Sequence, residues 1–494
     1  MTILLSAVRQ LFKYKLILLY LSLCSIILLR SYSDPDGCIS PDSTFYLRLS
    51  KNLVEGEGFK ITDYTSPDGK SFFAIWPVGY PIMIFIISRF TGLAVLWASK
   101  ALNLLIIGII LLLFRYIFKE NVHWAGLIFF VNSIIFVFSF TWSEGPFILF
   151  LLCITISLYK CVETSGKFIW LAGLLFSGIA LFLMRYLGLF CVGLIGLIAL
   201  VNLFRRRWLL SIKLLITASL QMIFAGLYLY HNIISTGYVT GMPRHLPDES
   251  NLELLHQLFS ALKNEFIFIR CGIPFSLSLG LLLLLVIYLF RTRGKRYFNE
   301  KNDGLWKYFL LTGILYFIAI VGAKWFSNFA PLDLRYLFPS TFIIILSLAS
   351  YLQGKPSIKI MKSPIVYMVI LTALSIHYIP HKDYIYKYIF KGISYSQNPN
   401  YIENTRVILE KYKGVEPKSI VIFGSIHLRY LREDIIPTEI YGKFSLAEYI
   451  NYFTQKKDWN VYINIRDDLN PETIHESFIR FMETNSDRQI VKVH

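Results

Sequence analysis

The sequence predicts a polytopic α-helical membrane protein of about eleven transmembrane helices, with interfacial helices in its first outer loop and a small C-terminal α/β domain. Three observations carry this. The 494-residue chain is 55% hydrophobic and only 16% charged, with a mean hydropathy of +0.54, whereas soluble domains carry about 25% charged residues. Apolar runs of about 17–25 residues, each able to span a bilayer, recur up to residue 380 and then cease. Lipid offers the backbone no hydrogen-bond partners, so such runs must be helices.

The formal net charge is +17. In a soluble protein this would suggest nucleic acid. Here the Lys and Arg residues fall in short loops, where they set membrane orientation, and no nucleic-acid partner is implied. The six cysteines show no metal-ligand spacing, and neither do the histidines, among them His231, His245, His377 and His381.

The first span is read at 15–29, as an uncleaved helix. Its flank carries Arg9, Lys13 and Lys15, which places the N-terminus in the cytoplasm and the polar loop 31–94 outside. Within that loop, Pro77–Thr91 is apolar but short. Counted as a span it would turn Arg115, Lys119, Arg205–Arg207 and Arg291–Arg296 outward, so it is read as a helix lying on the outer surface. The other spans fall at about 96–114, 123–141, 146–160, 168–184, 187–204, 208–230, 273–290, 306–322, 336–352 and 363–380. Residues 1–380 thus form the membrane domain. From 381 to 494 the pattern changes to strands at Ser419–Ile426, Trp459–Ile465 and Arg488–His494 and helices at Asn400–Lys413, Ser445–Lys456 and Pro471–Thr484. An odd number of spans puts this domain outside.

On this topology Asp42, Glu144, Arg185, Lys324, Asp333 and Arg335 all lie at outer helix ends. Ionisable groups near a bilayer are costly and tend to be paired or functional. Asp42, in Pro41-Asp42-Ser43, is an N-cap, a base that takes a proton from an acceptor hydroxyl, or both, since a capping residue is held rigidly. Glu144, in TWSEGPF, is a helix-start acid favoured by the dipole, or a second carboxylate that orients an acceptor or binds a metal. Arg185 is a snorkelling arginine or a phosphate clamp. Lys324 and Arg335 offer the same choice, with Asp333 a partner for Arg335. Tyr46, Trp76 and Tyr80 suit the aromatic belt of a membrane surface; Trp76 could also stack on a sugar. No cofactor and no metal ligand is assigned, and a divalent metal stays open. No nucleotide-binding glycine motif occurs.

The segments SPDSTFYLRLSKNLVEGEGF (Ser40–Phe59), WPVGYP (Trp76–Pro81), ALNLLIIGIILLLFRY around Asn103, WSEGPF (Trp142–Phe147), LMRYLGL (Leu183–Leu189) and LDLRYLFP (Leu332–Pro339) resemble, in order and spacing, the C-type superfamily of integral-membrane glycosyltransferases. The nearest likeness is to bacterial relatives of protein O-mannosyltransferases (glycosyltransferase family 39) and to lipid A aminoarabinose and galacturonic acid transferases. The resemblance implies a polyprenyl-phosphate-linked sugar donor and inverting transfer to a glycan, lipid or protein acceptor on the outer face. It matches Asp42 to the catalytic base and Glu144 to a second acidic position, where aspartate is common in the family. Arg185, Lys324 and Arg335 become donor-phosphate residues, and Tyr46, Trp76 and Tyr80 substrate contacts. Two other classes are a flippase of lipid-linked glycans, which should hold ionisable groups mid-span, and a non-enzymatic envelope assembly protein.

Overall fold

The computed structural model describes residues 14–34, 36–62, 70–241, 249–265, 304–327, 329, 331–353, 363–380, 405–422, 425–432, 434–438, 460–464 and 490–493. The chain divides into two compact units, one of residues 1–30 and 71–380, the other of residues 31–70 and 381–494. The span expected at 273–290 and the helices expected at 445–456 and 471–484 lie outside the described residues, as do His245 and His381.

The first unit is a helical bundle. Helix α1 (Lys15–Tyr32) enters it, and the chain returns through α3 (Gly79–Thr91) and α4 (Val95–Phe118). After two short helical pieces come α6 (Asn132–Ser139), α7 (Glu144–Glu163), α8 (Phe168–Met184), α9 (Phe190–Phe204), α10 (Trp208–Thr236), α11 (Asn251–Glu265), α12 (Leu305–Phe326), α13 (Leu334–Gln353) and α14 (Pro364–Tyr378). Among the described residues, seven helices are long and apolar enough to cross a membrane, which makes the chain a multi-pass membrane protein. Their outward faces are apolar: on α10, Leu209, Ile216, Ile223, Leu227 and Ile234 are all exposed, a pattern that suits lipid and would be a liability in water. The 13-residue α3 reaches only about 20 Å, short of the roughly 30 Å hydrocarbon core. Gly79 lets it close on the end of α8, since a Cβ there would come within 2.7 Å of the Leu183 carbonyl oxygen.

One expected span differs. Residues 123–141 do not form one helix. They break into α5 (Val122–Gly126), a 3₁₀ turn (Leu127–Phe130) and α6, with Val131 in extended backbone at φ −70°, ψ 142°. A break at this depth is tolerated only if side chains take up the freed carbonyls. Here they do. Tyr378 Oη donates to Phe130 O at 2.7 Å. At the far end, Lys100 Nζ donates to Ser139 O at 2.7 Å, and Asn103 Nδ2 donates to Phe138 O and Phe140 O at 2.9 and 2.8 Å.

The second unit contains helix α2 (Pro41–Glu55) and a parallel four-stranded sheet. The sheet runs in the order β2 (Ile435–Thr438), β1 (Ser419–Ile422), β3 (Asn460–Asn464), β4 (Ile490–Val493). Ile408 and Tyr412, from and just after α15 (Thr405–Lys411), pack with Val415, Val421, Leu428 and Ile435 as its apolar core. Arg432 ties that core's periphery together by donating to Tyr412 O, Val415 O and Asp434. The Arg432 guanidinium holds the Asp434 carboxyl below its usual range. Helix α2 packs on α16 (Leu428–Leu431), and Arg48 Nε donates to Arg429 O at 2.9 Å.

The start of α2 is capped by Ser40, not by Asp42. The Ser40 hydroxyl accepts from Ser43 N while the Ser43 side chain accepts from Ser40 N, a reciprocal capping box. Pro41 takes the first helical position, where its missing N–H costs nothing, and Asp42 follows within the first turn. We expect Ser40→Ala to destabilise the start of α2 by about 1 kcal/mol. Hydrogen exchange of Ser43 and Thr44 amides reads this directly; unchanged protection would contradict the capping assignment.

Candidate functional site

The chemistry-bearing side chains of the first unit converge where α7 begins. Glu144 is its first residue and is 0% exposed. A carboxylate at a helix N-terminus is favoured by the dipole, but burial in an apolar bundle demands a counter-ion. Two are supplied. Arg185 Nη1 and Arg335 Nε both donate to Glu144 Oε1. The three residues come from three separate connections of the chain and meet here.

Each arginine is positioned by local chemistry. Arg185 ends α8 in extended backbone at φ −154°, ψ 136°, with its N–H still bonded to Leu181 O. The chain then turns tightly through Tyr186–Leu189, and Gly188 donates to Arg185 O at 2.7 Å. A Cβ on Gly188 would lie 2.6 Å from Leu181 O, so only glycine fits this turn. Arg335 lies in the first turn of α13. Asp333 Oδ1 accepts from the backbone N–H groups of Arg335 and Tyr336 at 2.9 and 3.3 Å. Asp333 therefore holds the helix start, while the Arg335 guanidinium makes its ion pair with Glu144.

Aromatic rings complete the cluster. The Arg335 guanidinium carbon lies 4.3 Å from the Trp142 ring centre, and those of Arg335 and Arg185 lie 5.5 and 5.6 Å from the Tyr336 ring centre. Such contacts favour a cation held away from water. Trp142 is itself stacked on Phe140 at 4.3 Å. Lys324, 0% exposed at the end of α12, donates to Phe329 O at 2.6 Å and pairs with Glu249 at 2.8 Å. Phe329 in turn packs on Tyr336 with centroids 5.2 Å apart. Lys324 thus joins the same cluster through aromatic rings, with Glu249 as its ion-pair partner.

The remaining expected residues fall elsewhere. Trp76 is half-buried in the segment leading into α3, and Tyr80 is fully buried in the first turn of that helix. That segment is pinned by Tyr186 Oη, which donates to Ala74 O at 2.6 Å, and by Tyr228 Oη, which accepts from Val78 N at 3.2 Å. Asp42, half-exposed, and Tyr46, buried, belong to the second unit.

Sequence reasoning missed Lys100, Glu249 and Tyr336, and quoted Asn103 only as the centre of a motif, with no role. Lys100 is 1% exposed, near the start of the apolar helix α4. With Asn103 and the Ser99–Thr141 hydroxyl pair at 2.8 Å, it fixes the Phe138–Thr141 segment leading to Trp142 and Glu144. A lone lysine inside a 24-residue apolar helix is a signal that could have found it. Among the described residues no group of three His, Cys, Asp or Glu side chains could hold a metal. At Glu144 both arginines already occupy Oε1.

The bundle and this cluster define a multi-pass membrane protein with a buried cationic and aromatic site at one end. No family model matches the chain, and no curated protein matches it. Among solved structures it is similar to ArnT from Cupriavidus metallidurans in the apo state, at 12% identity and a TM-score of 0.42, covering 97% of this chain and 89% of that one. It is similar also to the same protein bound to undecaprenyl phosphate, at 11% identity and a TM-score of 0.44, covering 97% and 90%. A third likeness is to the Archaeoglobus fulgidus oligosaccharyltransferase in the apo form, at 12% identity and a TM-score of 0.40, covering 90% and 69%. At these identities the chemistry has to be read from this chain's own residues.

Removing the shared counter-ion should be severe. Glu144→Ala leaves two arginines buried without their carboxylate and is expected to cost about 3–5 kcal/mol, read as a lowered Tm in lipid nanodiscs. A variant that melts with the wild type would show that the arginines do not depend on Glu144.

Proposed function

We propose that this protein transfers a sugar from a polyprenyl-phosphate-linked donor to a hydroxyl of a cell-envelope glycan, lipid or protein, with inversion, on the outer face of the plasma membrane. The observation that carries this is the gathering of Arg185 and Arg335 on the single buried carboxylate Glu144, at one end of an apolar bundle. Two guanidinium groups against one carboxylate leave that core one positive charge in excess. A phosphate leaving group needs such stabilisation, and arginine forks match phosphate oxygens in pairs. A lipid-borne donor cannot diffuse through water, so its enzyme has to present the site at membrane depth.

In this reading the acceptor oxygen attacks the anomeric carbon, the bond from that carbon to the phosphate oxygen breaks, and the lipid phosphate departs against the cations. One displacement inverts the centre. Asp42 takes the acceptor's proton; this role comes from the sequence resemblance, together with its place in the first turn of α2, partly open to solvent. Glu144 serves by holding the two arginines in place, and Lys324 adds a third cation. Tyr46, Trp76 and Tyr80 would shape the substrate path. The topology in this proposal has about eleven spans, a cytoplasmic N-terminus and an outer α/β domain.

Two experiments test it. In proteoliposomes containing polyprenyl-phosphate sugars and envelope acceptors, Asp42→Asn is expected to reduce transfer by at least about a hundredfold at unchanged membrane expression. A fully active variant would remove Asp42 from the mechanism. Vectorial movement of donor without a new glycosidic bond would instead favour a flippase. For the topology, single cysteines replacing the exposed Lys119 and Lys167 should react only from the cytoplasmic side, and one replacing Asp36 only from outside, in a background whose own cysteines are replaced. Labelling of all three from one side would refute the orientation.

A further inference from the structure

Two buried polar atoms at the arginine cluster are left over by everything described above. Both arginines converge on Oε1 of Glu144, and Oε2 is buried with no hydrogen-bond partner. The hydroxyl of Tyr316, on α12, is likewise buried without a partner, in a residue that is 0% exposed. The Tyr316 ring packs on Phe147, in the turn of α7 that Glu144 begins, and on Phe190, with centroids 5.6 and 5.4 Å apart. Its hydroxyl is within electrostatic range of Arg185, Glu144, Tyr336 and Arg335. Buried polar atoms are nearly always satisfied, and each exception calls for an unseen partner.

The chemistry of the two atoms specifies that partner. A carboxylate oxygen only accepts, so the guest must donate to it. A phenolic hydroxyl can donate or accept. An anionic phosphate oxygen would be repelled by Oε2, and an ammonium by the two guanidinium groups. We propose that Glu144 Oε2 and Tyr316 Oη form a subsite for a neutral hydroxyl, filled either by a buried water molecule or by a hydroxyl of the sugar being transferred. The sugar source rests on the proposed glycosyl transfer; the water source does not. The subsite also separates two tasks at Glu144: Oε1 gathers the cations and Oε2 reads a hydroxyl.

The test is Tyr316→Phe, which removes one oxygen and keeps the ring. Two readouts are taken on the full chain in nanodiscs: Tm without substrate, and kcat/KM with a panel of synthetic polyprenyl-phosphate pentoses and hexoses. If water fills the subsite, Tm falls, because a satisfied hydrogen bond is lost, while kcat/KM changes by less than about tenfold. If a sugar hydroxyl fills it, kcat/KM falls by about tenfold or more for donors bearing that hydroxyl and not for the matching deoxy sugar. If Tm is unchanged or raised and kcat/KM changes by less than that, the hydroxyl has no guest and the proposal is overturned. Should the wild type transfer no sugar from the panel, the glycosyl-transfer reading fails, and the melting comparison still decides the subsite.

Discussion

The fold of the first unit depends on one electrostatic constraint: an apolar bundle that contains two buried arginines must give them a counter-ion. Glu144 is that counter-ion. Isolated charges cannot be buried in such surroundings, so the starts of α7 and α13 and the end of α8 are bound to meet. The tight turn at Gly188, the backbone cap made by Asp333 and the ring of Trp142 each serve to deliver a guanidinium to the same oxygen.

A second constraint comes from lipid. Backbone groups inside a bilayer need partners within the protein, and the broken helix between Val122 and Ser139 meets this by recruiting side chains. Lys100 and Asn103 close one end and Tyr378 the other. The break has a purpose that a straight span would not serve. It lets the chain turn through Phe140–Ser143, placing Trp142 beneath Arg335 and Glu144 at a helix start. Structural repair and site geometry are therefore one network, which runs from Ser99 and Lys100 to Arg335. Hydroxyl and amide groups that look like isolated polar residues along the sequence hold the carboxylate in its position.

Much of the architecture was legible because membrane spans declare themselves. The run at 168–184 coincides with α8, and those near 306–322 and 336–352 grow by only a few residues at each end. Charge alternation puts Glu144, Arg185 and Arg335 at outer helix ends in the sequence reading, and their side chains do meet. The partnership among them was not legible. Nothing in Leu332–Pro339 tells that Asp333 turns to the backbone while Arg335 reaches a helix nearly two hundred positions earlier in the chain. The break at Val131 was equally hidden, since hydropathy registers apolar side chains and is blind to the backbone bonds of Phe130.

The sequence by itself determined that this chain lives in a membrane and which residues could carry charge at the membrane surface. These follow from composition and periodicity, which act locally along the chain. Tertiary structure alone decided which acid serves which base. Ion pairing depends on distances between side chains from different helices, and packing sets those distances. Of the two oxygens of Glu144, one is claimed by two arginines and the other is left buried without a hydrogen-bond partner. That asymmetry arises from the way three helix ends crowd together, a geometry with no counterpart in the order of the residues.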